Sequence, residues 1–396
     1  MKYDENSLYN VKSSVEGKRC SLFDLATWKN GLAFKKINFS ETGVPVIKIA
    51  ELNNGIGGTT AYTQQKFSED VHLNKGDLLF SWSGNPQTSI DIFRFNLEEG
   101  WLNQHIFKVT PDENVVDRNY FYFLMKNLKM YFTQIATNKQ TTGLGHVTIA
   151  DIKRMSVIIP SIDMQRKIVS YIKPIDDKIE ENERINNNLE QQAQAIYQRM
   201  FINNASSDWV KGALSDIADI TMGQSPSGSS YNEDGNGTIF FQGRAQFGFR
   251  FPTVRLYTTE PNRIACANDT LMSVRAPVGD INVAHTDCCI GRGLAAIHSK
   301  NNHQSFVLYT MLSLKKRLDV FNGEGTVFGS INRNSLNEMP LLIPSSEKLD
   351  EFEALVSPID AAIRNNYNEI CYLEQLRDTL LPKLMSGELD ISDIDL

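Results

Sequence analysis

Residues 159–201 return as residues 343–385 with no gap, at an offset of 184. Eleven of the 43 positions are identical. They include Ile159-Pro160-Ser161 with Ile343-Pro344-Ser345, Pro174-Ile175-Asp176 with Pro358-Ile359-Asp360, Asn182 with Asn366, and Leu189-Glu190-Gln191 with Leu373-Glu374-Gln375. The same offset lays Gly145-His146-Val147 on Gly329-Ser330-Ile331. Nearer the start, Leu22, Asp24 and Gly31 match Leu214, Asp216 and Gly223 at an offset of 192. A repeat this long decides architecture before local propensity does: the chain is two copies of one unit.

Each copy is a globular segment followed by a long helix. In the globular segments, short β-like runs (Val46–Ile49, Leu78–Trp82 and Met155–Ile159; Ile239–Phe241, Leu271–Val274 and Leu341–Ile343) are broken by Gly, Asn and Ser. One helix per copy is expected, around Tyr120–Ile135 and Ser305–Val320. The class is α/β, with two similar mixed domains separated by two long antiparallel coiled-coil helices and related by a pseudo-two-fold. The expected boundaries are 1–158, 159–205, 206–342 and 343–396.

The helices carry a narrow apolar seam. Ile168, Ile172, Ile175, Ile179, Asn182, Asn186, Leu189, Ala193, Ile196 and Met200 are spaced alternately four and three, as are the residues from Phe352 to Leu384. Sustained spacing of this kind demands a partner helix. At 1.5 Å per residue each seam runs about 50 Å, too long to bury in a small domain, so the two helices pair with each other. Asn182, Asn186 and Asn366 interrupt the seam and set its register, because a slip strands an amide. Equivalent Asn182 and Asn366 are expected to meet. Pro174 and Pro358 are expected to kink or split their helices.

The net charge of −7 argues against nucleic acid only until it is mapped. Residues 341–396 hold 4 Lys and Arg against 12 Asp and Glu, more than the whole excess. The globular segments are near neutral, so each has room for a basic face. The polar start MKYDENSLYN does not read as a secretory signal, and no apolar run approaches ~18 residues. Five cysteines without CxxC and six histidines without ligand spacing predict reduced thiols, no metal and a cytoplasmic setting.

Taken together, the Ile-Pro-Ser run before each helix, the two Pro-Ile-Asp and Leu-Glu-Gln motifs and the terminal stretch Leu381–Glu388 make the chain resemble the specificity subunit of type I restriction–modification enzymes over nearly its whole length. The resemblance implies a non-catalytic, sequence-specific DNA-binding subunit. Each target-recognition domain would read one half of a bipartite double-stranded site. The helices would set the spacing and dock two modification (methyltransferase) subunits, and restriction (endonuclease/translocase) subunits would join. AdoMet, ATP and Mg would belong to those partners, with no cofactor in this chain. The alternative is a structural adaptor whose domains bind protein on a helical rod.

No catalytic residues stand out. An adenine methyltransferase needs Asn/Asp-Pro-Pro-aromatic, and Asn85-Pro86-Gln87-Thr88 lacks the second proline and the aromatic. No phosphate-binding GxxxxGK[ST] loop occurs.

Base readout needs Arg, Lys, Asn or Gln on loops that reach base edges, and phosphate contacts need Lys, Arg, Ser or Thr. In Phe240–Phe251, Gln242, Arg244, Gln246 and Arg250 alternate with aromatics and glycines. Arg275 and Arg292 sit at element ends, with counterparts around Trp82, Ser83 and Asn85, and around Gln104 and His105. A third pair of loops aligns Lys139, Gln140, Thr141, Thr142 and His146 with the stretch holding Thr326, Phe328 and Ser330. Lys35 and Lys36 are phosphate-contact candidates.

Overall fold

The computed structural model describes residues 9–140, 143–322 and 329–391. Two units emerge: residues 1–181 with 369–396, and residues 182–368. Each contains one globular segment and one stretch of each long helix.

In the first unit a four-stranded antiparallel sheet runs in the order Ala26–Asn30, Ile106–Pro111, Leu78–Ser81, Asp91–Arg94. A second sheet orders Tyr62–Thr63, Val44–Ile47, Glu99–Leu102, His72–Asn74, its central pair being parallel. Lys18–Ser21 pairs separately with Ser156–Ile159. The second unit repeats this plan. Its antiparallel sheet runs Ala218–Met222, Leu294–Ser299, Thr270–Ser273, Ile281–Val283. Its other sheet again has one parallel pair, Thr238–Phe241 with Cys288–Ile290, and Val210–Ala213 pairs with Pro340–Ile343.

The expected single helix per copy is two helices in each. Arg118–Asn127 breaks at Leu128 before Lys129–Asn138, and Gln304–Ser313 breaks at Leu314 before Lys315–Leu318. Leu128 (φ −82°, ψ −2°) and Leu314 (φ −81°, ψ −1°) turn the chain identically, and both are buried. Burying each leucine in its core holds this turn against the helical continuation that propensity favours.

The long helices span Ile162–Tyr197, followed by a π-helical turn Gln198–Asn203, and Ser346–Ser386. Neither proline splits its helix. Pro174 and Pro358 are exposed, as are Ser170 and Ala354, whose carbonyls lose an amide partner to the proline ring, so those carbonyls lie on the face open to solvent. The seam is buried as its spacing requires. Ile168, Ile172, Leu381 and Leu384 join the core around Phe80, Tyr120, Phe121 and Phe132 in the first unit. Ala193, Tyr197, Phe352, Val356 and Ile363 join the core around Phe306 and Tyr309 in the second.

Within the second unit the helix stretches are antiparallel: Asn186 faces Asn366, while Tyr197 and Phe201 reach Phe352. Asn182 (1% exposed) and Asn186 (3%) are buried, so they do not mark a solvated break. Asn366 Nδ2 donates to Asn186 Oδ1 at 2.9 Å, one turn along from its repeat-mate Asn182.

Candidate nucleic-acid interface

In the first unit a short antiparallel ladder joins Ser83 to His146. In the second, an isolated bridge joins their repeat-mates Arg275 and Ser330. The surrounding backbone bonds repeat with it. Val147 donates to the Trp82 carbonyl and Ile331 to the Val274 carbonyl. Trp82 donates to His105 and Val274 to Gly293; Gly31 donates to Ile106 and Gly223 to Leu294. Three loops predicted from separate sequence stretches thus converge on one floor in each unit.

Close approach explains one repeated glycine pair. A Cβ on Gly31 would lie 2.2 Å from the Asn103 carbonyl oxygen, and one on Gly223 would lie 2.2 Å from that of Gly291. No side chain fits there, so the floor is backbone, and the side chains around it are free to differ.

Those side chains do differ. In the first unit Trp82 stacks on Phe107 (5.7 Å between centroids) and donates through Nε1 to Asn30 Oδ1 at 3.1 Å. Exposed His105 lies 5.6 Å from the Trp82 ring, and its Nε2 is 3.1 Å from Gln104 Nε2. In the second unit Arg275 and Arg292 are exposed. The Arg292 amide donates to Ser225 Oγ at 3.2 Å, and the Gln242 carbonyl accepts from Gly293 at 3.2 Å, so exposed Gln242 joins the same floor. Guanidinium, amide, imidazole and hydroxyl groups on a close-packed backbone are the repertoire for base edges and phosphates.

Other candidates lie elsewhere. Lys35 and Lys36 are exposed around a 3-10 turn, where the Lys35 amide donates to Asn38 Oδ1. Asn85 accepts from the amides of Gln87 and Thr88, and so caps its own loop. Gln140 is exposed. Thr141, Thr142, Thr326 and Phe328 lie outside the described residues.

Two candidates are claimed by the interior. Lys139 Nζ donates to Asp151 Oδ1 at 2.5 Å, and buried Asp151 also accepts from Tyr9 and Thr148. Arg250 is 5% exposed. Its Nη2 donates to Asp360 Oδ1 (2.9 Å) and Tyr309 Oη (2.8 Å), and Glu190 lies 3.9 Å from its Nε. From this position Arg250 is held away from solvent, while the Lys139 ion pair stays partly exposed. Half-buried Gln246 keeps Oε1 inside, with no partner among the described residues.

Exposed Arg244 is ion-paired with Asp280, which also holds Lys315 at 2.8 Å. Burial raises the Asp280 pKa, but Lys315 and Arg244 outweigh it and hold the carboxyl below the ordinary range. Sequence reading missed Asn30 and Ser225; their signal was a position within two residues of Gly31 and Gly223. Burial pushes the Cys288 thiol up to about 12, which leaves it inert. Among the described residues no group of His, Cys, Asp and Glu is placed to hold a metal.

The model of the type I restriction modification DNA specificity domain matches residues 15–191 and again 206–370. A protein named as the MjaX specificity subunit of a type I restriction enzyme, from Methanocaldococcus jannaschii, is 27% identical over 390 residues, spanning 92% of this chain and 91% of that protein. The HindI specificity subunit of Haemophilus influenzae is 23% identical over 405 residues, spanning 80% of this chain and 87% of that protein. The crystal structure of a type I restriction-modification S subunit from M. genitalium shares the fold, with a TM-score of 0.53 at 15% identity, over 97% of this chain and 98% of that one.

Proposed function

Because the chain belongs to the type I restriction modification DNA specificity family and carries that domain twice, we propose that each copy reads one half of a split duplex sequence. The chain is a DNA-specificity subunit of a type I restriction–modification system. The observation that carries the two-headed reading is the shared bridge: Ser83–His146 and Arg275–Ser330 hold one backbone geometry and present unlike chemistry. Like backbones with unlike side chains suit two different half-sites on one duplex.

In this reading the paired helices set the gap between half-sites and dock two methyltransferase subunits. Restriction subunits join the assembly, and AdoMet, ATP and Mg enter with the partners. The chain itself targets; the chemistry is theirs. No helix among the described residues is long and apolar enough to cross a membrane, and we place the protein in the cytoplasm with its DNA. The structural adaptor is not favoured, because the family matched by both halves is one of DNA specificity.

Methylation-sensitive sequencing of DNA modified by the complex tests this. The expected result is an adenine-containing motif of two short sequences with a fixed gap. A single contiguous target would overturn it.

A further inference from the structure

Asp176 and Asp360 are repeat-mates, the acids of the two Pro-Ile-Asp motifs. Each holds an arginine sent out by the recognition domain of its own unit. Arg94 Nη1 donates to Asp176 Oδ2 at 2.8 Å, with its guanidinium 3.9 Å from the centre of the Tyr122 ring. Arg377, from the second long helix, reaches the other oxygen of Asp176 at 3.2 Å. In the second unit Arg250 holds Asp360, and Tyr309 donates to the same Asp360 oxygen at 2.8 Å. Glu190, from the first long helix, stands 3.9 Å away. Each cluster therefore joins three parts: one recognition domain and both helices.

The acids are inherited through the repeat, but the arginines are not. Arg94 ends a strand, whereas Arg250 lies in a loop, and the strand position that matches Arg94 is held by Val283. Yet both reach the same place. Arg94 is paired with Leu78 on the neighbouring strand. The Arg250 carbonyl accepts from Val283, which is paired with Thr270, the repeat-mate of Leu78. From there the strands Leu78–Ser81 and Thr270–Ser273 run straight to Trp82-Ser83 and Val274-Arg275, at the reading floor.

We infer that these two arginine–aspartate clamps fix the tilt of each recognition domain on the helix pair, and so select one half-site spacing. Four strand residues make a lever of about 13 Å at ~3.3 Å per residue. A tilt of about 15° moves its tip by about 3.4 Å, the rise of one base pair. The helices then determine the coarse gap, and the clamps reject gaps one base pair longer or shorter. Arg94, Arg250, Asp176 and Asp360 are positioning residues that touch no base.

The inference rests on the split-site reading, and one experiment separates the two. The chain is assembled with its modification subunits and given a duplex library in which the two half-sites, taken from the wild-type methylation motif, stand at every gap from three shorter to three longer. Wild type is expected to methylate one gap. Asp360→Asn and Arg94→Met are each expected to raise methylation at neighbouring gaps at least tenfold, with both half-site sequences retained. Arg94→Lys, which can still pair with Asp176, is expected to restore single-gap behaviour. A variant that assembles and methylates only the wild-type gap overturns the clamps, as does one that changes a half-site sequence. Should Arg94→Met fail to assemble, Asp360→Asn decides alone, because it keeps the size of the side chain while removing the charge that holds Arg250. A wild-type complex without any split motif sinks the functional reading instead.

Discussion

Asn366 donates its side-chain amide to the Asn186 carbonyl oxygen between the two helix stretches of the second unit. The offset of 184 carries Asn186 onto Ile370, so the sequence repeat holds no second copy of this pair. A polar contact in an apolar seam costs stability and gains register. Asn366→Leu strands a carbonyl that is 3% exposed and is expected to cost ~1–3 kcal/mol. The double replacement Asn186→Leu with Asn366→Leu is expected to recover that loss, since an apolar pair replaces a buried amide pair. Urea unfolding of the three proteins checks it; a double variant weaker than the single would contradict it.

Gly223→Ala places a Cβ against the Gly291 carbonyl and is expected to cost ~1–3 kcal/mol through overpacking. It should degrade recognition of one half-site only. Gly228→Ala, which meets nothing within 4 Å at an exposed turn of the same unit, is the matched control and should leave both stability and target unchanged. Thermal unfolding together with methylation of substituted duplexes distinguishes the two.

Arg275 projects from the bridge of the second unit. Arg275→Ala is expected to weaken binding by ~1–3 kcal/mol and to relax one position of one half-site. Exposed Lys35 and Lys36 should behave differently. Replacing either by Ala is expected to weaken every duplex alike and to lower the slope of log affinity against log salt by ~1. Titrations at several salt concentrations separate base contacts from phosphate contacts.

Asp280 makes stability pH-dependent. Its folded pKa is depressed by Lys315 and Arg244, although burial opposes them. A depressed acid contributes stability above its unfolded pKa, and that contribution is lost as the pH falls through the folded value. Acidification from neutral to below the ordinary carboxylate range should therefore weaken the second unit, and Asp280→Asn should flatten this dependence. Unfolding followed across that range measures the slope. Asp280→Asn also frees Arg244, so DNA binding near neutral pH should rise if that guanidinium reaches a phosphate.

The repeat made the plan of the fold legible, because two copies matched along their length, at offsets of 192 and then 184, must share one topology. The helix seam was legible for a similar reason: spacing dictates burial, and Ile172, Val356 and Ile363 obey it. The bridge was half legible. Arg275 and the stretch around Trp82, Ser83 and Asn85 are matched in sequence, but their neighbours Asn30 and Ser225 emerge only when the loops close. Arg250 was misread, because an arginine flanked by phenylalanines reads alike whether it stands in solvent or is drawn onto a buried aspartate. The pairing of Lys139 was equally invisible: its partner Asp151 is twelve residues away and carries no mark in sequence. Leu128 and Leu314 show the converse, since local propensity continues a helix that core packing breaks.

The floors at Gly31 and Gly223 share their main-chain bonding and differ in what stands on it. On the split-site reading, discrimination is therefore portable. Transplanting the residues at 82–85, 103–105 and 146 onto the matching positions of the other head, together with Asn30 and Phe107 on which Trp82 rests, asks nothing new of the backbone beneath. A lineage under pressure from changing invaders could alter its target by exchanging short loops, leaving its assembly untouched.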